Sequence, residues 1–395
     1  MAVAAAYPFI EVRIDTSGLQ PVAQRSPGVI AVVGKTPNGA AGGTAAKNKA
    51  FVVSTLDDAV DLFARRDANG APQNTTLASS LALALLQDPK PTKIYGVRVD
   101  ADDYPAALVG LEAADDVTFV SLAAETTVGA AATGGNNPQP ATGLMALKEH
   151  VENMSAEGQK RIGVAMVDPT TPRSNTYVET VTQAMDKLES DSSRMILVAA
   201  RGADGDVATA AMAAIAAYPP HVSMVLKKVR GVKVPLESQY GPSEIKGLSE
   251  ANIDPVIDPD LIVGESLHFA EGRTFTTDAS MLYIDIVRTL DDIDFRLKAG
   301  LIGSVGDARI TKSGMTLVKA RTEGILGPLQ RNAVIDGFVV QIPVLDILSV
   351  PTSTWTPADS AIVADARANR TVDMFVTITY GPAVHRLRVT LAPKF

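Results

Sequence analysis

The chain has 395 residues, 46% hydrophobic and 20% charged, which is enough for two or three globular domains with a sizeable core. Its formal net charge of −8 argues against a general attraction to nucleic acid or to anionic lipid. The absence of cysteine excludes disulfides, thiol nucleophiles and cysteine-ligated metals. We expect no signal peptide and no membrane span, because the N-terminal residues lack the required pattern and the apolar runs are short.

The first predicted element is a strand over residues 8–15, in which apolar and charged side chains alternate. The alternating residues are Ile10, Glu11, Val12, Arg13 and Ile14. Residues 16–27 then read as an extended connector with Pro, Gly and polar side chains. A short strand with one apolar face is not stable alone in water, so this one must pair within its own chain or with a neighbouring subunit.

From Gly28 onwards, apolar runs of strand length alternate with helical patterns. Gly28–Val33 is a continuous apolar run, typical of a strand that is covered on both faces. The further predicted strands span residues 51–53, 93–99, 117–122, 162–167, 194–199 and 222–226. Predicted helices begin at Ser54 and cover the apolar stripes within 77–85, 144–154 and 178–188. This alternation predicts an α/β domain with a largely parallel sheet.

The last third of the chain has a different pattern. Residues 227–265 are rich in Pro, Gly and Asp and are interpreted as an irregular crossing to another domain. The elements predicted after it are helices at 278–297, 307–323 and 357–369, and strands at 334–342, 374–380 and 384–391. In the final strand, Leu387, Val389 and Leu391 face one way, whereas Arg386 and Arg388 face the other.

The sequence contains few motifs that carry chemistry, so no catalytic residue, cofactor or metal site is predicted. Gly34-Lys35-Thr36 resembles the end of a phosphate-binding loop, but the glycine that the motif requires earlier is replaced by Val29. The four histidines are scattered, and none forms a pair at metal-ligand spacing. We therefore predict that the protein is not an enzyme, with an α/β nucleotide-binding enzyme that uses the Gly34–Gly43 loop as the alternative.

A resemblance to a known family runs through the chain in order. The segment Pro27–Gly34, followed by Pro37-Asn38-Gly39, resembles the opening of the tail sheath family of contractile phages. Ser54–Phe63 is similar to the helix that follows in that family, Lys93–Val99 to its next strand, and Tyr283–Arg288 to its arginine-bearing helix. The tryptophan-rich neighbourhood that precedes this helix in the family is missing here.

The resemblance implies a mixed α+β and α/β fold. It places a sheath core domain, formed by both chain ends with exchanged terminal strands, beside an inserted outer α/β domain. The implied boundaries are an N-terminal exchange arm at 1–26, the outer α/β domain at 27–265, and a C-terminal core domain at 266–395. The core domain is expected to carry a tube-facing helix and the terminal strands.

The implied function is that of a structural subunit of a contractile tail sheath. Such subunits polymerise as stacked hexameric rings around a tail tube and contract to drive the tube through the host envelope. The expected partners are further copies of the chain, the tail tube protein, and the baseplate and tail terminator proteins, without direct nucleic-acid contact or membrane insertion. The expected location is the tail sheath of a virion, assembled in the host cytoplasm; the chain alone does not separate a phage from a tailocin or an injection system.

Two groups of residues are expected to carry this function. The inter-subunit strand exchange is assigned to Ile10, Glu11, Val12, Arg13, Ile14, Arg386, Leu387, Arg388, Val389 and Leu391. The tube-facing helix carries Asp359, Asp365 and Arg367, and Arg370 follows directly after it.

Overall fold

The computed structural model describes residues 26, 28–35, 43–73, 75–99, 103–134, 138–264 and 266–387. These residues divide into two compact units. The large unit contains the described residues up to Ile293 together with Tyr380–Leu387, and the small unit contains Asp294–Thr379.

The strands and helices follow one another along both units. The strands are β1 (Val29–Lys35), β2 (Ala50–Val52), β3 (Arg65–Arg66), β4 (Pro72–Gln73), β5 (Lys93–Val99), β6 (Phe119–Leu122), β7 (Ile162–Met166), β8 (Met195–Ala199), β9 (Lys228–Val229), β10 (Asp254–Ile257), β11 (Leu267–Phe269), β12 (Gly337–Gln341) and β13 (Phe375–Thr379). The helices are α1 (Leu56–Phe63), α2 (Thr76–Leu85), α3 (Tyr104–Glu112), α4 (Gly143–Ala156), α5 (Tyr177–Met185), α6 (Val207–Ala217), α7 (Pro242–Glu250), α8 (Ile284–Leu301), α9 (Lys312–Arg331), α10 (Pro343–Ser349) and α11 (Pro357–Asn369).

The large unit is built on one sheet with the strand order β2-β5-β1-β6-β7-β8-β10-β11-β9. Neighbouring strands from β5 to β10 are parallel, whereas β2, β11 and β9 pair antiparallel at the two ends. Parallel neighbours need crossover connections, which are usually helices that cover the faces of the sheet. The predicted α/β architecture with a largely parallel sheet is confirmed.

The first strand shows why its sequence is continuously apolar. Ile30 and Val32 point into a core that also contains side chains from α1, α2 and α6. Val29, Ala31 and Val33 point into a second core on the opposite face, with side chains from α3, α4, α5 and α7. All five are at most 2% exposed. Because both faces of β1 are covered, neither alternate position tolerates a polar side chain.

The middle of the sheet also requires close approach between elements. Gly96 in β5 lies directly under the aromatic ring of Phe63, and a Cβ atom on this glycine would lie 2.5 Å from the ring. Real Cβ contacts are not this short, so only glycine fits without movement of the ring. Gly96 therefore sets how closely α1 packs on β5.

Several predictions for residues 222–265 are wrong. Residues 222–226 form no strand, and Leu226 has a φ of +59°, which is incompatible with a β-strand. The stretch 227–265, interpreted as irregular, contains β9, α7 and β10. One proline of this stretch, Pro242, is compatible with a helix because it occupies the first position of α7, where the missing N–H has no helical partner to lose.

Other boundaries differ by a few residues or more. The first helix is capped by Thr55 and not by Ser54, and the predicted 278–297 helix starts only at Ile284, after a 3-10 turn. The predicted 307–323 helix is α9, which continues to Arg331. The helices α3, α6 and α10 were not predicted. Helix α11 has the bounds that the sequence predicted.

The small unit has a much thinner interior than the large one. It pairs β12 with β13 in an antiparallel two-stranded sheet, beside α9, α10 and α11. One of its buried clusters is Met315, Ile342 and Leu345, and another is Val344, Val363 and Ala366. Burial of so few large side chains supplies limited stabilisation.

Candidate assembly surfaces

The two-stranded sheet of the small unit has open edges. β12 and β13 pair from Gly337 opposite Thr379 to Gln341 opposite Phe375, and neither has another strand partner among the described residues. Phe375 is 57% exposed and Val339 is 54% exposed, so one apolar side chain on each strand is open to solvent. A sheet of only two strands is marginally stable, and open edges are templates for further strands. This sheet can therefore accept a strand from elsewhere.

The small unit also exposes many large apolar side chains for its size. Those at least 47% exposed are Ile302, Val305, Leu317, Val339, Val350, Ile362 and Phe375. Single exposed apolar residues are ordinary, but such a concentration on a unit of this size favours contact with other protein.

Helix α11 is stabilised locally at its first turn. The Asp359 carboxylate accepts hydrogen bonds from the backbone N–H (2.9 Å) and the hydroxyl (2.8 Å) of Thr356, and the backbone N–H of Asp359 donates to the Thr356 hydroxyl at 3.1 Å. These bonds, the backbone one first, lower the pKa of Asp359. Asp359 is thus engaged in capping the helix.

The other charged residues predicted on α11 are exposed. Asp365 accepts a hydrogen bond from Asn369 at 2.8 Å, and Arg367 donates to the carbonyl of Ile310 at 3.4 Å. Arg370 ends the helix in a left-handed conformation with a φ of +55°. The buried side of the helix is apolar, so these charges face away from it and are available to a partner.

The predicted strand-exchange residues are only partly described. Ile10, Glu11, Val12, Arg13 and Ile14, as well as Arg388, Val389 and Leu391, lie outside the described residues. Arg386 and Leu387 are described, and residues 384–387 form no strand within this chain. Leu387 is 82% exposed, whereas Arg386 donates a hydrogen bond to Glu271 at 3.0 Å. Sequence reasoning missed Glu271 as a partner of the chain end.

The lysine of the alternative nucleotide site is paired with a protein carboxylate. Lys35 Nζ lies 3.1 Å from Glu125 Oε2, which also accepts from the Tyr104 hydroxyl at 2.8 Å. Burial raises the pKa of Glu125, but hydrogen bonds from Thr127, Tyr104 and Lys35 outweigh it and lower the pKa overall. Lys35 therefore already has a counter-charge where a phosphate would need it, and residues 36–42 lie outside the described part.

The described residues contain no group of three or more His, Asp or Glu side chains placed to hold a metal ion. None of their helices is both long and apolar enough to cross a membrane.

Comparison with known proteins gives a sharp contrast between sequence and structure. No family model and no curated protein matches the sequence. Solved structures do match, and they include two contracted sheaths that match over at least 98% of the chain and a sheath tail protein that matches over 85%. The fold is therefore that of contractile sheath proteins, and the resemblance seen in the sequence is confirmed at the level of the fold.

Three of these structures show the extent of the match. The sheath of the extracellular contractile injection system PVC, in its contracted state, matches with a TM-score of 0.65 and 13% identity, over 99% of this chain and 98% of that chain. The contracted helical sheath of the anti-feeding prophage matches with a TM-score of 0.63 and 12% identity, over 98% of this chain and 99% of that chain. A sheath tail protein from Desulfitobacterium hafniense matches with a TM-score of 0.55 and 11% identity, over 85% of this chain and 93% of that chain.

Proposed function

We propose that the protein is the structural subunit of a contractile tail sheath. In this proposal, subunits polymerise as stacked hexameric rings around a tail tube and contract to drive the tube through the host envelope. The observation that carries it is the fold match over nearly the full length of chains from contracted sheaths. No observation favours the alternative of a nucleotide-binding enzyme.

The open sheet of the small unit supports strand exchange as the means of assembly. β12 and β13 offer edges that a strand from another copy can extend, and each main-chain hydrogen bond so formed contributes on the order of 1 kcal/mol net. The donated strands are the N-terminal arm, with Ile10–Ile14, and the chain end that contains Arg388, Val389 and Leu391. A head-to-tail contact of this kind builds rings or open helices.

The same proposal assigns the domains and the remaining partners. Residues 1–26 act as the exchange arm, 27–265 as the outer domain, and 266–395 as the core domain. Exposed Asp365, Arg367 and Arg370 on and after α11 contact the tail tube. The baseplate and tail terminator proteins bind the ends of the polymer, which assembles in the host cytoplasm and works as part of the virion or a related particle.

Deletion of the arm tests the assembly mechanism. The full-length protein should form long tubes that negative-stain microscopy detects, whereas a variant without residues 1–20 should stay a folded monomer. Circular dichroism and sedimentation check that the variant is folded and monomeric. Long tubes from the truncated protein would show that the arm is dispensable, and compact particles from the full-length protein under all conditions would contradict the sheath function itself.

A further inference from the structure

The C-terminal segment, residues 380–387, is held against the large unit although it forms neither helix nor strand. Its first contact is a hydrogen bond that the Tyr380 hydroxyl donates to Asp285 Oδ2, with 2.6 Å between the two oxygens. Asp285 lies in the first turn of α8 and is 4% exposed. Burial, and then the Asp285 carboxylate, raise the pKa of Tyr380, so the phenol stays protonated and can donate.

A second contact fixes the segment near its end. His385 Nε2 lies 2.9 Å from the hydroxyl of Ser223, and the ring meets that of Tyr283 edge to face, with 5.1 Å between centroids. An imidazole held by a hydrogen bond and a ring contact has a defined orientation. The segment is therefore attached at two places five residues apart.

The third contact is an ion pair with a largely buried carboxylate. Arg386 donates to Glu271 Oε1 at 3.0 Å, and the side chain of Glu271 is 10% exposed. The other oxygen, Oε2, lies 3.9 Å from both Arg273 Nε and His385 Nδ1. A carboxylate with so little access to water requires nearby cationic or hydrogen-bonding partners. Two of its three basic neighbours belong to the C-terminal segment.

These contacts use the polar side chains of the segment and leave its apolar ones outside. Val384 is 80% exposed and Leu387 is 82% exposed, so neither contributes burial against the large unit. The chain continues directly from Leu387 into Arg388, Val389, Thr390 and Leu391, in which polar and apolar residues alternate. Polar attachment with exposed apolar side chains fits a segment that is held in place for another surface to cover.

We propose that Ser223, Glu271 and Asp285, called the clasp below, position the chain end for pairing with a second copy of the chain. Glu271 is the principal positioning residue, because its carboxylate pairs with Arg386 at 3.0 Å and lies 3.9 Å from His385 Nδ1. The proposal rests on the sheath function proposed above and explains how the donated strand is held in a fixed orientation before it pairs. Without the clasp, the chain end would sample many directions, and each productive encounter would require it to be ordered first.

The absence of cysteine makes the position of the segment directly measurable. A spin label on Leu387→Cys reports its motion by electron paramagnetic resonance in full-length protein kept too dilute to assemble. Arg386→Glu places a carboxylate against Glu271 and should increase the mobility of the label, whereas Arg386→Lys should leave that mobility low. Because hydrogen bonds to charged groups are among the stronger ones, the unlabelled Arg386→Glu protein should nucleate tubes at least about tenfold more slowly, and Arg386→Lys within about threefold of the wild type.

A matched control reverses a charge elsewhere in the same unit. Arg230 pairs with Asp88 at 3.1 Å and is 41% exposed, so Arg230→Glu breaks a surface ion pair without touching the clasp. Arg230→Glu should leave both the mobility of the label and the nucleation rate unchanged. His385→Ala is a second way to loosen the segment and should slow nucleation in the same direction as Arg386→Glu.

The possible results separate this proposal from the one on which it rests. A mobile label in Arg386→Glu with a wild-type rate of tube formation would overturn the positioning role and leave the sheath function intact. A label that stays restricted in both Arg386→Glu and His385→Ala would show that the clasp does not hold the segment. Failure of the wild-type protein to form tubes under all conditions would instead count against the sheath function.

Discussion

Acidification should destabilise the large unit through one buried histidine, His150 in α4. It is 8% exposed, and its Nε2 lies 2.9 Å from Nη1 of Arg161, which is fully buried. Because a guanidinium can only donate, the imidazole must accept at Nε2 and is therefore neutral. Burial, and then the charge of Arg161, lower the pKa of His150 from 6.5 to about 4.

The direction of the effect follows from which state binds more protons. The unfolded chain titrates at the ordinary pKa, so between pH 6.5 and pH 4 the unfolded state binds more protons and the free energy of unfolding falls as the pH falls. With these two pKa values, His150 alone lowers the free energy of unfolding by about 2 kcal/mol at pH 5 relative to pH 7.5. Above pH 7 the titration of His150 has almost no influence on the free energy of unfolding.

The matched variant is His150→Gln, whose amide oxygen can still accept a hydrogen bond from Arg161 but does not titrate. Since the protein has two compact units, stability is best followed locally, by hydrogen exchange of the amides in α4 and β7. From pH 7.5 to pH 5, the wild type should lose about 2 kcal/mol more than the variant. Equal losses, or a His150 nuclear magnetic resonance titration centred near 6.5, would refute the reasoning.

Two further predictions concern packing and a buried ion pair. Gly96→Ala forces a methyl group against the ring that packs on β5 and should destabilise the large unit by about 1–3 kcal/mol. In contrast, Gly324→Ala in α9, where a Cβ would meet no described atom within 4 Å, should stabilise the small unit by about 0.5–1 kcal/mol. Thermal unfolding followed by circular dichroism distinguishes the two variants. A change in stability of the same sign in both variants would contradict this packing argument. Arg201, 3% exposed, pairs with Glu244 at 2.7 Å, and Arg201→Met should destabilise by about 3 kcal/mol because the carboxylate loses its nearest counter-charge and keeps only the more exposed Arg173, at 3.5 Å. The double change with Glu244→Leu should recover part of that loss in urea titrations, and a purely additive loss would show that the two groups are not coupled.

Local signals explain the elements that were predicted well. The start of α11 is encoded within a few residues, since Thr356 caps it, Pro357 occupies its first position and Asp359 completes the capping box. The strand β1 was equally clear, because a continuous apolar run of strand length has few other uses. In both cases the information lies inside the element itself.

One missed helix, α6, lacks the periodicity by which most helices are recognised. Helix α6 is buried from Val207 to Ala216, so it has no polar face and no helical periodicity to detect. The partners of the chain end were beyond the reach of pattern reasoning for a different reason. Glu271 and Arg386 are 115 residues apart, and only the fold brings them together. A single sequence contains no pattern that links positions at that distance.

The exposed apolar surface of the small unit has a consequence for how mutations act. A substitution inside the large unit, such as one at Phe63, affects each molecule once, because that core is complete within a single chain. A substitution at Phe375 on the open sheet would, in a polymer, change the same contact in every copy at the same time. Even about 0.3 kcal/mol per contact, the size of a weak cross-strand pair, would then accumulate along the whole assembly. Small changes there would set the length and lifetime of a filament while leaving the isolated molecule almost unaltered.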